Sequence, residues 1–143
     1  MVTFQATLSP TSLEKLMQEL SSHATKLEES RLDIHEALAD YAYERIMFYV
    51  PVDTGTLAES FVEEVSQDMA KIFTDLEYAK FVEFGTGIRG ASSGYDSQYM
   101  SAESYSAEYA GQPAQKFVYQ AFLDLERDYL EITRNVLRKK GLI

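Results

Sequence analysis

Residues 77–90, EYAKFVEFGTGIRG, admit two different folds. The second half, GTGIRG (85–90), spells the G-x-G-x-x-G spacing of a dinucleotide-binding turn. That reading makes the chain a parallel α/β protein. It requires the glycines to leave a strand, to open a helix, and to be followed about 20 residues on by a strand ending in an acidic residue. Here GTGIRG instead follows YAKFVEF, whose spacing predicts a short helix with Gly85 just past its end as a left-handed C-cap. It opens onto a loop of Gly, Ser, Ala and Tyr, and no strand with an acidic end lies at the right distance. The glycines are read as residues that shape backbone, and no cofactor is expected.

On the N-terminal side, FVEEV (61–65) and AKIFTD (70–75) read as two strands joined by the turn SQDM, so the sheet is antiparallel. Before them stands PVDTG (51–55), which carries the Asp-Thr-Gly triplet of aspartic proteases. Such an enzyme needs two carboxylates sharing one proton. The triplet should also follow an uninterrupted apolar strand, whereas Pro51 and a long helix precede it here. A chain this short would supply the second Asp only by dimerising, as the nearly all-β retroviral enzymes do. Asp53 is therefore read as a turn residue. Gly55 is expected at positive φ, with Asp53 or Thr56 capping one helical turn in a Thr56-x-x-Glu59 box.

Farther upstream, residues 29–50 keep helical spacing through Leu38, Ala42, Arg45, Ile46 and Tyr49 until Pro51 stops them. SPTSLEKL starts an earlier helix, with Thr11 or Ser12 as cap and Leu13, Leu16, Met17 and Leu20 as its apolar face. The polar run 21–30 predicts a break between the two. Residues 2–8 alternate as a half-buried strand. On the C-terminal side, residues 116–140 predict a helix of about 24 residues, roughly 36 Å long. Val118, Phe122, Leu125, Tyr129, Ile132 and Val136 form an apolar seam along it, and Arg134, Arg138, Lys139 and Lys140 complement its dipole.

Between these elements lies the long loop 87–112. Tyr95, Tyr99, Tyr105 and Tyr109 form two i, i+4 pairs among small residues, the composition of an adaptable contact surface. With Arg89 they are the candidate subunit interface. Glu83, between aromatic and aliphatic neighbours, is expected to be buried and to hold loop amides rather than perform acid catalysis. His23 and His35 are expected at the solvated surface.

Composition agrees with one globular domain. The chain has 143 residues, is 45% hydrophobic and contains no cysteine, which removes disulfide, thiol and thiolate-metal chemistry. No apolar run is long enough to span a membrane, and the N-terminus lacks the features of a signal peptide. The net charge of −10 disfavours wrapping nucleic acid. It is uneven: residues 1–110 carry 7 basic and 19 acidic side chains, residues 111–143 carry 6 and 4. Unlike ends of this kind favour head-to-tail association. The expected fold is α+β: a small antiparallel sheet packed against one or two long helices, with a long Tyr/Ser/Gly-rich loop. The single domain, 1–143, divides into an N-terminal strand and helices (1–50), a turn, hairpin and short helix (51–86), the loop (87–112) and the C-terminal helix (113–143).

Three motifs, PVDTGTLAES, YAKFVEFGTG and GQPAQKFVYQAF, together resemble the tail-component family of long-tailed bacteriophages, over about residues 51–122. The first falls on Pro51, Thr54, Gly55, Leu57 and Ser60. The second falls on Tyr78, Ala79, Val82, Glu83, Gly85 and Thr86, and the third on Phe117. The family usually places a proline before that last aromatic and another three residues after it; this chain has Lys116 and Gln120. The resemblance implies a fold like that of tail-terminator subunits and a structural role at the head–tail neck or the head-proximal end of the tail. It implies assembly as a sixfold ring on the DNA conduit, with connector, tail-terminator or tail-tube proteins as neighbours. DNA would pass nearby without being bound specifically, and no membrane would be involved. Such a protein is made in the bacterial host cytoplasm, resides in the virion, and needs no catalytic residue, metal or cofactor. The alternative reading is an acidic protein-binding module, an assembly chaperone or inhibitor that uses the tyrosine loop.

Overall fold

The computed structural model describes residues 9–52, 55–95 and 102–143, leaving aside the side chains of residues 12, 13, 102 and 103. The strand expected at 2–8, together with Asp53, Thr54 and Tyr99, lies outside the described residues. The fold is α+β. In chain order it runs α1 (Pro10–Glu29), α2 (Arg31–Tyr49), α3 (Thr56–Glu59), β1 (Val62–Val65), β2 (Ala70–Phe73), α4 (Ala79–Phe84), α5 (Gly87–Ala91), a 3-10 turn (Ala102–Tyr105) and α6 (Phe117–Lys139).

α1 and α2 form one long helix bent at Ser30. The polar run does not break the helix over ten residues as its composition suggests; the bend is confined to this one residue. Ser30 is fully buried, and its hydroxyl donates to the Lys26 carbonyl at 2.6 Å while its amide is shared between Lys26 and Leu27. A serine hydroxyl competing in this way for the helical carbonyls is a known cause of bending. The helix also starts earlier than expected. Pro10, ahead of the expected cap at Thr11 or Ser12, is already in its first turn, where a proline loses no hydrogen bond.

α2 ends at Tyr49, as Pro51 requires. It packs antiparallel along α6, and the hairpin lies against its side. β1 and β2 pair Val62 with Phe73 and Val65 with Ala70. The hairpin turn is held by Ser66, whose hydroxyl accepts from the Asp68 and Met69 amides. His35 reaches this turn, its Nδ1–H donating to the Ser66 carbonyl at 2.9 Å. His35 is thus half-buried and structural, while His23 is exposed as expected.

The core gathers Ile46 of α2 and Val50 just past its end with Leu57, Phe61, Ala79, Phe117 and Ala121. Phe61 meets Phe117 edge-on at 5.9 Å. On α6 the deeply buried positions are Phe117, Ala121 and Asp124. The apolar seam lies beside this face rather than on it: Val118, Leu125, Ile132 and Val136 are half-covered, and Phe122 and Tyr129 are exposed. The cations at the end of α6 find partners, Arg138 on Glu131 at 3.2 Å and Lys140 on Asp33 at the start of α2.

Candidate functional site

The three sequence motifs converge where α3, α4 and the start of α6 meet. Gly55 sits at φ 78° as the turn requires, directly before α3. It occupies the N-cap position itself, where it has no side chain to cap the helix. Leu57 and Ala79 enter the core. Ser60 donates to the Leu57 carbonyl at 2.6 Å and contacts the Thr74 hydroxyl at 2.6 Å, which ties α3 to the segment after β2. Pro51, Gly55, Leu57, Tyr78 and Val82 share an open depression of about 400 Å³ with Gln112 and Gln115.

Glu83, 4% exposed, stands at the centre. Its Oε2 accepts from the Val118 amide at 2.8 Å and its Oε1 from the Tyr119 amide at 3.0 Å. These are donors of the first turn of α6, which no helical carbonyl can satisfy. Lys116, at the N-cap position, has φ 53° and offers no side-chain cap. Glu83 therefore caps α6 from another helix, where its charge also complements the helix dipole. The sequence-based expectation that it holds amides is met, although they belong to a helix start and not to the loop. The main chain repeats the link: the Gln115 and Lys116 amides donate to the Val82 and Glu83 carbonyls at 2.9 and 3.1 Å.

Tyr95 completes this cap. Its hydroxyl donates to Glu83 Oε1 at 3.0 Å, and its ring packs on Phe84 and edge-on against Tyr119, at 4.8 and 5.4 Å. Burial, and then the neighbouring Glu83 charge, hold the Tyr95 phenol well above its ordinary pKa. Tyr105 donates to the Phe84 carbonyl at 3.2 Å, and Tyr109 to the Ser104 carbonyl at 2.8 Å. The described tyrosines of the loop thus place their hydroxyls on this same chain. Arg89 is exposed.

GTGIRG crosses residues 109–112 at close range. The Thr86 and Gln112 main chains exchange both hydrogen bonds, at 2.8 and 3.1 Å, and the Ile88 and Arg89 amides donate to the Tyr109 and Ala110 carbonyls. The amides that would cradle a pyrophosphate in a dinucleotide site are occupied by backbone. At Gly85, φ 77° and ψ 177° define a conformation essentially restricted to glycine, and a Cβ would lie 2.6 Å from Gln112 O. Gly85 therefore has the expected positive φ, but not the left-handed helical ψ. A Cβ on Gly111 would lie 1.9 Å from Thr86 O. The loop also holds more regular structure than its composition suggests, namely α5 and the 3-10 turn.

A second polar cluster, not singled out from the sequence, joins α2 to α6. Arg45 and Tyr49 both donate to Asp124 Oδ2, at 2.7 and 2.8 Å. Tyr41 donates to Asp128 Oδ2 at 2.5 Å, and Arg127 grips Asp128 with two nitrogens while reaching Asp124 Oδ1 at 3.2 Å. Tyr49 foremost, with Arg45, lowers the Asp124 pKa; Arg127, then Tyr41, does so for Asp128. The signal was Tyr41, Arg45 and Tyr49 at i, i+4, i+8, but their partners lie about 80 residues away and need the register of two helices. These contacts bind helix to helix. Among the described residues no group of three or more His, Asp and Glu could hold a metal ion.

A family model described as "Bacteriophage HK97-gp10, putative tail-component" matches residues 14–85. That span takes in the first two motifs as far as Gly85 and leaves Thr86 and the motif around Phe117 outside it. No curated protein and no solved structure matches the chain.

Proposed function

The chain belongs to the HK97-gp10-like family of bacteriophage tail components, and from that premise we propose that it is a non-catalytic subunit of the head–tail neck or of the head-proximal end of the tail. It assembles there as a ring, sixfold in this reading, around the conduit through which DNA passes. Connector, tail-terminator or tail-tube proteins are its neighbours in the virion, and it is made in the host cytoplasm. The family match, which takes in the first motif and the second as far as Gly85, carries the reading. Two features support it. Large apolar side chains remain exposed on α1 and α6, as in a subunit completed by others. The net charge of −10 suits a wall past which DNA slides without sticking.

The test is to mix the purified chain with capsids and with tail tubes of its phage and to image the particles by negative stain. Density added at the neck or at one tail end is the expected result. A chain that ignores both particles, or that joins the tail tip, refutes the placement.

A further inference from the structure

The hairpin has unpaired edges. The Ser66 amide donates to the Met69 carbonyl at 2.8 Å. In a register that pairs Glu64 with Lys71 and Val62 with Phe73, this makes those two pairs the hydrogen-bonded ones. The N–H and C=O groups of Ala70 and Ile72 therefore point outward from β2, and those of Glu63 and Val65 outward from β1. The sheet has only these two strands, and the outward groups have no main-chain partner among the described residues.

The two edges differ in what lies beside them. β1 runs along the acidic side of α2, where Glu63 meets Asp40 and Glu44. β2 borders an apolar groove of about 320 Å³. Leu38 and Ala42 of α2 form its floor, Ala70 and Ile72 one wall, and Phe122 and Leu125 of α6 the other, with His35 and Asp68 at the turn end. The groove adjoins a second hollow of about 450 Å³, where Glu126 and Tyr129 join Leu38, Phe122 and Leu125. A row of free main-chain donors and acceptors beside an apolar floor suits an added strand, which would pair with β2 and turn every second side chain inward.

The chain carries such a segment outside the described residues. Along residues 2–8, Val2, Phe4, Ala6 and Leu8 alternate with Thr3, Gln5 and Thr7. No side chain in it is charged, so the groove would bury none. The β1 edge would instead set these apolar side chains against carboxylates. The groove of the same copy is out of reach. Between the segment and the Ser30 bend stand the 20 residues of α1, about 30 Å of helix. Every described side chain of α1 is exposed, so α1 does not fold back along its own chain. The groove begins close to the bend, where Arg31 approaches Asp68 at 3.6 Å and His35 bonds to Ser66. A strand beside β2 must bring Leu8, which is bonded to Ser9, to that groove.

We infer that residues 2–8 of one copy add as a third strand to the β2 edge of another copy, with Val2, Phe4, Ala6 and Leu8 in the groove between the hairpin and α6. α1 is the spacer that carries the segment to its neighbour. The segment and the groove are different surfaces of one chain, so the contact is heterologous. Closure into a ring rests on the reading proposed above; the strand addition does not.

Because the chain has no cysteine, introduced thiols report the contact. In the added strand Gln5 shares the outer face of the sheet with Lys71, which is exposed. Gln5→Cys and Lys71→Cys, as separate chains mixed in equal amounts and as a double variant, are treated with a short bis-maleimide. Two settings are used: the concentrated purified chain, and particles of the phage assembled with the variants. Circular dichroism verifies folding, and mass spectrometry identifies the linked peptides. In the mixture a link between the two sites can form only between copies, and it is expected in at least one setting. Adding Phe4→Asp to the Gln5→Cys chain should abolish it. In the setting that gives the link, the Ala70 and Ile72 amides should exchange more slowly than in the dilute chain, and Phe4→Asp should remove that protection. Absence of the link from the mixture in both settings overturns the inference, as does a link that survives Phe4→Asp. So does a double variant linked only within one copy, or Lys71→Cys linked only to a different protein of the particle. Particles that take up the chain without the link refute the strand addition and leave the tail role standing. A link in a chain that never joins particles does the reverse.

Discussion

The carboxylate of Glu83 closes the first turn of α6, with Oε2 2.8 Å from the amide of Val118, 35 residues away in sequence. The same side chain accepts from Tyr119 and Tyr95. Glu83→Ala leaves two helix-start amides and a phenol without partners in a buried place. Charge-assisted bonds of this kind contribute about 1.5–3 kcal/mol, and a lost cap costs about 1. The expected loss is about 3 kcal/mol, with Glu83→Gln, which keeps one acceptor oxygen, near half of that. Tyr95→Phe should cost about 1 kcal/mol. Urea unfolding midpoints measure all three. An Ala variant as stable as the parent would mean that the cap is not formed in solution.

Glycines at the backbone crossing and at the turn respond differently to one methyl group. Gly55 has positive φ, but a Cβ there meets only Glu59 Oε1, at 3.7 Å. Gly55→Ala should therefore cost about 1 kcal/mol, from backbone strain alone. At Gly111 the methyl would collide with Thr86 O, and the crossing must separate and lose its paired hydrogen bonds. Gly111→Ala should cost several times more than Gly55→Ala, and should expose the amides of Thr86 and Arg89 to hydrogen exchange. Equal losses at the two sites would contradict the tight crossing.

How far the sequence could be read depends on the range of the interaction. The hairpin, the stop at Pro51, the φ of Gly55 and the extent of α6 all follow from neighbours within a few residues, and all were legible. Glu83 was legible as a buried carboxylate from Phe81, Val82 and Phe84 around it, but not as the cap of a helix whose first turn lies in a different motif. On α6 the seam was visible and its burial was not. The arc of apolar residues is wider than the face that α2 covers, and that face includes Asp124, which hydrophobicity alone places in solvent. Its burial depends on Arg45 and Tyr49, which only the packed helices bring near.

β1 turns Glu63 toward the side of α2 that carries Asp40 and Glu44. Burial first, then a hydrogen bond with Asp40 and the charges of both neighbours, raises the Glu63 pKa. A carboxyl group raised in this way favours the folded state below its unfolded pKa, near 4.3. The benefit is lost as pH rises through the folded value, so at neutral pH the charge is a burden. Glu63→Gln should raise the melting temperature at pH 7, by no more than corresponds to about 1 kcal/mol because the cluster is partly solvated. The gain should vanish below about pH 4. A variant that melts lower than the parent at pH 7 would contradict the repulsive reading.

Asp124 and Asp128 pull in the opposite direction. Their pKa values are depressed, by Tyr49 with Arg45 and by Arg127 with Tyr41. A depressed carboxyl contributes its stability above the unfolded value, about 3.9, and loses it as pH falls through the folded one. The α2–α6 packing should therefore weaken progressively below about pH 4, where the Glu63 repulsion has already been relieved. Asp124→Asn should lower the unfolding midpoint at pH 7 and flatten its fall between about pH 4 and pH 2. Asp128→Asn should do the same to a smaller extent, because Asp128 is more exposed than Asp124 and its Arg127 partner is on the surface. Denaturant midpoints measured across that range for the parent and both variants separate this from a merely steric effect. A steric defect would shift the whole profile down without changing its slope, and that result would show that the ionised form of Asp124 is not what holds the two helices together.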